Sequence, residues 1–222
     1  MSVKIKICGL STCESLETAI GAGADFVGLV HFARSPRHVS LEAAAELATV
    51  ARGRAKIVGL LVDPDDDLVE AFVTTVAPDF LQLHGGEVPQ RVAAVSQRWK
   101  VPVIKAVKVA AAADTAQADG FRGLAAFVLF DAKAAADTAS KLPGGNGIAF
   151  DWQLIESQAM KGPFMLSGGL NPGNVAEAIT LTKAPMVDVS SGVERAPGVK
   201  DNARIRSFIV AARGAGLHVH DK

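Results

Sequence analysis

The chain has 222 residues, 49% hydrophobic and 21% charged, enough for one large α/β domain with a sizeable core or for two small domains. Its 23 basic and 23 acidic side chains cancel, so no long-range field draws it to nucleic acid or to a membrane surface. Tyr is absent and aromatics make up 5%, too few for a surface of stacking platforms for single strands.

Short β-branched or apolar runs alternate with Ala-rich segments of helical period. VKIKIC at 3–8 reads as a strand ending at Cys8-Gly9, with a helical segment at 15–23. DFVGLVHF at 25–32 ends near His31 and leads through Arg34, Arg37 and His38 to a Ser-capped helix at 40–52. AKIVGLLVD at 55–63 ends at Asp63, which stands before Pro64 and reads as turn and cap chemistry, and a helix is expected over 66–77. PDFLQLHG at 78–85 ends at His84-Gly85 before a helix at 89–99. VPVIKAV at 101–107 carries Lys105, with Lys108 just beyond, and the segment after it, 110–120, is polar on too many faces for a well-formed helix. LAAFVLFD at 124–131 ends at Asp131. The longest irregular stretch, about 132–149, contains PGGNG at 143–147, and a helix is expected over 150–158. PFMLSG at 163–168 runs into Gly168-Gly169, ahead of a helix opened by Asn171-Pro172. APMVDVSSG at 184–192 carries Asp188 and ends in Ser190-Ser191-Gly192, and a last helix spans 201–213.

Near-continuous apolar runs suit strands buried on both faces of a parallel sheet. Eight strand–helix units of roughly 28 residues, with no low-complexity linker, predict a single α/β domain over 1–222, a closed (β/α)8 TIM barrel. The rival, an open doubly wound sheet, would carry its Gly-rich turn after the first strand, whereas here the Gly-rich turns come late. In a barrel the C-terminal strand ends form the active face, so Cys8, Arg37, His84, Asp131 and Asp188 could converge on one mouth.

Three late loops have a common reading. Gly145-Asn146-Gly147, Gly168-Gly169 and Ser190-Ser191-Gly192 let backbone N–H groups approach an anion closely, and barrel loops after strands seven and eight often hold a phosphate. Each loop alone could equally be a tight turn. Arg37 could pair with a surface carboxylate or grip a ligand carboxylate with its planar fork. Asp131, at the tip of a buried apolar strand, could retain a proton and serve as a general acid, or cap a helix or pair with Lys133. Asp188 invites the same two readings. A lone strand-end His such as His84 is more often a hydrogen-bonded structural group. His218 and His220 fall in a polar tail. Cys8 and Cys13 are the only cysteines, without a C-x-x-C motif or a ligand cluster, so neither a disulfide framework nor a structural zinc site is expected. The N-terminus MSVKIKICG lacks an apolar signal core and no run approaches the ~20 apolar residues of a membrane span, so a cytoplasmic protein without membrane contact is expected. The residues do not fix an oligomeric state; a monomer is the working expectation.

The stretches KICGL at 6–10, SPRHVS at 35–40, LQLHG at 81–85, FDAK at 130–133, GGNGIAFDW at 144–152, SGGLNPGNV at 167–175, and DVSSGVE with PGVKD across 188–201 together resemble the phosphoribosylanthranilate isomerases of tryptophan biosynthesis. Their order and spacing cover nearly the whole chain. The resemblance implies a (β/α)8 barrel with no metal and no organic cofactor, carrying out an Amadori rearrangement of the small-molecule substrate phosphoribosylanthranilate. It implies Cys8 as general base, Asp131 as general acid, Arg37 on the anthranilate carboxylate and the three glycine loops on the phosphate. His84 and Asp188 match positions near the site. Asn146 stands where many relatives have Ser or Thr. A histidine-pathway isomerase would need paired Asp residues at strands one and five, and here strand one offers Cys8. Indole-glycerol-phosphate synthase would need early Lys and Glu that KICG does not supply. A noncatalytic phosphate- or flavin-binding barrel would leave Cys8 and Asp131 without a task.

Overall fold

A computed structural model describes residues 2–110, 112–132, 155 and 162–217. Eight parallel strands close into a barrel in chain order: β1 Lys4–Cys8, β2 Phe26–Val30, β3 Lys56–Leu61, β4 Phe80–Leu83, β5 Val103–Val109, β6 Phe127–Ala132, β7 Phe164–Leu166 and β8 Met186–Val189. β1 pairs with β8, with Lys6 opposite Asp188, and that closure removes both sheet edges. The helices are α1 Cys13–Gly21, α2 Leu41–Ala51, α3 Asp66–Val76, α4 Pro89–Trp99, α5 Ala112–Ala116, α6 Val175–Thr182 and α7 Asn202–Leu217.

Local chemistry explains the helix boundaries. Thr12, Ser40 and Asp65 accept hydrogen bonds from backbone N–H groups three residues on, and Pro89 opens α4. Ala77, Lys100 and Lys183 end α3, α4 and α6 in the left-handed region. The longer helices then bury one stripe on the barrel. On α3 that stripe is Val69, Phe72 and Val76, and Phe72 packs so tightly on β3 that a methyl group at Gly59 would overlap its ring. Burying a side chain of this size stabilises the fold by roughly 1.5–3 kcal/mol.

Inside the barrel the strand alternation separates an apolar layer from a polar one. Phe26 packs edge to face on Phe80 and Phe127, which tilt against each other, with centroids 5.6 to 6.2 Å apart, and Val58, Ile104, Leu129, Met165 and Met186 complete an apolar plug. Toward the strand ends the inward positions become Lys6, Cys8, Gln82, His84, Asp131, Ser167 and Asp188, all buried. The plug forces the polar groups to satisfy one another and leaves chemistry to one end of the barrel.

The segment after β5 is a short α5 followed by a 3-10 turn, Gln117–Phe121, in keeping with its many polar faces. Two other details differ from expectation. The helix after β7 starts at Val175, not at Asn171-Pro172. There Asn171 and Asn174 hold the turn instead, Asn171 N–H donating to Asn174 Oδ1 at 2.8 Å and Asn174 Nδ2 to Gly169 O at 3.0 Å. Beyond β8 the chain forms an unforeseen antiparallel pair, β9 Glu194–Ala196 with β10 Val199–Lys200. The expected helix at 150–158 lies outside the described residues except for buried Ile155. Among the described residues no helix is long and apolar enough to cross a membrane.

Candidate active site

β1 delivers Lys6 and Cys8 to the same face, two residues apart. The Lys6 ammonium is fully buried and donates to Asp188 Oδ1 at 2.8 Å, while Ser167 Oγ donates to Asp188 Oδ2 at 2.9 Å. Burial drags the Lys6 ammonium down, but the Asp188 carboxylate and the Cys8 sulfur outweigh it and hold its pKa above the ordinary value. Asp188 is thus a partner for a buried cation, the pairing that a buried charge requires.

Cys8 lies between Val30 and Leu60 and is only 3% exposed. Gly28 on β2 makes the space, since a Cβ there would sit 2.8 Å from Cys8 Sγ. Burial pushes the thiol above its ordinary range, the Lys6 and Lys200 ammonium groups pull it back, and Asp188 pushes it up again. Burial wins. The two cations required to favour a thiolate are present, yet the thiol is the resting form.

Asp131, 4% exposed at the end of β6, lies 3.1 Å through Oδ2 from His84 Nε2. His84 Nδ1 lies 2.8 Å from Gln82 Nε2 on the same strand. The FLQLH alternation carries this arrangement, because period two places Gln82 and His84 on one face. Lys108 sits opposite Asp131 in the β5–β6 register and is exposed at the mouth.

Arg37 is 6% exposed and forms a two-pronged pair with Glu194, Nε to Oε1 at 2.7 Å and Nη2 to Oε2 at 2.8 Å. Its stem crosses Gly9, where a Cβ would lie 2.6 Å from Arg37 Cδ. Glu194 also accepts from Lys200 Nζ at 2.8 Å and from Gly198 N–H at 3.2 Å, and Lys200 Nζ donates to Ser190 O at 2.9 Å. Arg37 therefore pairs with a carboxylate that is buried, not with one at the surface. Sequence reasoning missed Glu194 and Lys200, although both lie within the quoted DVSSGVE and PGVKD stretches.

Gly168 and Gly169 adopt φ of 91° and 67°, backbone that side chains with a Cβ resist, which accounts for the Gly-Gly after β7. Gly192 lies against the Leu170 carbonyl so closely that any Cβ would overlap it, which locks the loops after β7 and β8 together. Ser190 Oγ donates to Cys8 O at 3.1 Å and Ser191–Val193 form a 3-10 turn. Gly145, Asn146 and Gly147 lie outside the described residues. Elsewhere, His31 Nδ1 bonds Val39 O, Lys105 bonds Glu87 on the outer side of the barrel, and the Asp63 carboxylate accepts from Gly86 N–H in a turn while Asp65 caps α3. Among the described residues no three His, Cys, Asp or Glu side chains could hold a metal ion together.

A family model for N-(5'-phosphoribosyl)anthranilate isomerase matches residues 5–211. The chain belongs to the N-(5'-phosphoribosyl)anthranilate isomerase family. It is 53% identical over 215 residues to the isomerase of Rhodopseudomonas palustris strain BisB5, covering 97% of this chain and 98% of that one. It is 49% identical to the isomerase of Parvibaculum lavamentivorans over 97% of this chain and all of the other. The Thermotoga maritima isomerase superposes with a TM-score of 0.86 at 34% identity, over 96% of this chain and 99% of that one. Another isomerase structure, solved with reduced 1-(o-carboxyphenylamino)-1-deoxyribulose 5-phosphate, superposes with a TM-score of 0.83 at 33% identity, over 96% and 99% of the two chains. In this isomerase family member, the buried thiol and the buried carboxyl therefore stand on one barrel mouth, three strands apart round the closure.

Proposed function

We propose that this barrel isomerises N-(5'-phosphoribosyl)anthranilate, an aminoaldose, to 1-(2-carboxyphenylamino)-1-deoxyribulose 5-phosphate with Cys8 as general base and Asp131 as general acid. The observation that carries the assignment is the pair of buried groups at the ends of β1 and β6, each with its own polar support.

Asp131 donates its proton to the furanose ring oxygen as the C1–O bond breaks, and the nitrogen lone pair forms the C1=N bond of a cationic Schiff base. That charge acidifies the hydrogen on C2. The Cys8 thiolate removes it, the electrons forming a C1=C2 enolamine, and protonation at C1 with loss of the C2 hydroxyl proton gives the ketone. Burial favours the thiol form of Cys8, so its proton leaves to solvent before the C2 hydrogen is taken, and the cationic Schiff base adds the positive charge that Lys6 and Lys200 leave short. Arg37 recognises the anthranilate carboxylate while Glu194 fixes its fork, and the loops at Gly145–Gly147, Gly168–Gly169 and Ser190–Gly192 hold the phosphate. His84 supports Asp131 and Asp188 supports Lys6. Anchoring both substrate ends makes each proton transfer effectively intramolecular. The enzyme works on this small molecule in the cytoplasm and without a nucleic-acid partner. The zero formal net charge supports the last point.

The test is conversion of phosphoribosylanthranilate, generated in situ, by the purified protein. Turnover to the aminoketose phosphate is expected. Binding of the reduced product analogue without turnover would replace the enzyme reading with that of a binding barrel.

A further inference from the structure

The chemistry above gives Gln82 no task, yet its side chain is fully buried beneath the acid. Nε2 lies 2.8 Å from His84 Nδ1, and His84 Nε2 lies 3.1 Å from Asp131 Oδ2, so the three side chains form one line. The other end of the amide is unsatisfied, for Gln82 Oε1 is buried with no hydrogen-bond partner among the described residues. A buried carbonyl oxygen left this way is costly. An amide turned end for end about its last bond puts that oxygen on His84 Nδ1 instead.

We infer that Gln82 is a positioning residue whose amide orientation selects the tautomer of His84, and thereby whether the His84–Asp131 pair holds the acid proton. This rests on the assignment of Asp131 as general acid. With Gln82 Nε2–H donating to Nδ1, the His84 proton must sit on Nε2 and point at Asp131, which then accepts it as a carboxylate. That is the spent acid. With the amide reversed, Oε1 accepts from Nδ1–H. The Nε2 side then shares a proton with Asp131, ready for the ring oxygen. The two arrangements differ by one proton, the one that passes to the substrate. Only a side chain offering both a donor and an acceptor serves both arrangements. Glu at this position serves the second alone, and Met neither.

The experiment is 15N NMR of histidine-labelled protein across pH, with the His84 ring signals assigned through His84→Asn, beside steady-state kinetics. In the wild type, the His84 tautomer at high pH is expected to carry its proton on Nε2. In Gln82→Glu, the proton of neutral His84 is expected to stay on Nδ1. Gln82→Met matches the shape without the hydrogen bonds, and its kcat falls about tenfold or more with KM changed less than about threefold. An unchanged tautomer in Gln82→Glu, or wild-type kcat in folded Gln82→Met, overturns the inference. Wild-type turnover in Asp131→Asn would instead remove the acid assignment, and the tautomer result would still stand or fall on its own spectra.

Discussion

Glu194 is the structural hinge of the site's cationic side, and Glu194→Ala tests that directly. The carboxylate is 7% exposed and accepts from Arg37 Nε and Nη2, from Lys200 Nζ and from Gly198 N–H. Removing one partner of a buried ion pair costs about 3–5 kcal/mol, because the remaining charge is left uncompensated. At about 2–4 °C per kcal/mol for a chain of this size, the melting temperature should fall by roughly 10 °C. Glu194→Ala combined with Lys200→Met should recover part of the loss, since one of the two buried cations leaves with the carboxylate. The pH dependence sharpens the test. Burial pushes the Glu194 carboxyl up, but Arg37 and Lys200 outweigh it and hold it below the usual carboxylate range. Its contribution is therefore complete above the ordinary glutamate range and disappears as pH falls through the depressed folded value. Thermal melts of wild type and variant from neutral to acidic pH should converge at the acid end. A melting drop under about 2 °C at neutral pH, or a gap that stays constant into acid, would refute the reasoning.

Three further outcomes follow from the same geometry. Phe72→Ala empties a fully buried site against Gly59 and should cost about 3–5 kcal/mol in denaturant unfolding, with kcat of the folded protein unchanged. Gly192→Ala drives a Cβ into the Leu170 carbonyl and should raise KM for the phosphorylated substrate about tenfold or more with a smaller change in kcat. Since burial holds Cys8 as a thiol, kcat/KM should rise with pH toward the thiol range, and Lys200→Met, which removes a cation that lowers it, should move that rising limb to higher pH. A profile flat from about pH 7 to about pH 9 in both proteins would contradict it.

The barrel was legible because parallel strands buried on both faces write themselves as apolar runs, and each run from VKIKIC to APMVDVSSG overlaps one observed strand, with β5 and β6 continuing one or two residues past theirs. Cys8, His84 and Asp131 were legible as polar residues where such runs stop, and Asp188 as one carried within a run. What escaped was pairing. Arg37 and Glu194 are 157 residues apart, and Lys6 and Asp188 are 182 apart, so only the closed barrel brings them together. The outcome for the Cys8 thiol also escaped, because it depends on whether burial or the two lysines dominates. Gln82 could have been found, since FLQLH places it two residues before His84 on one strand face.

The central claim is that Cys8 and Asp131 move the protons. Its most direct test compares turnover of phosphoribosylanthranilate by Cys8→Ser and Asp131→Asn with each variant's affinity for the reduced product analogue. We predict a loss of about 10²-fold or more in kcat for each, with analogue binding within about threefold of wild type. Near-wild-type turnover in either variant would contradict the role assigned to that residue.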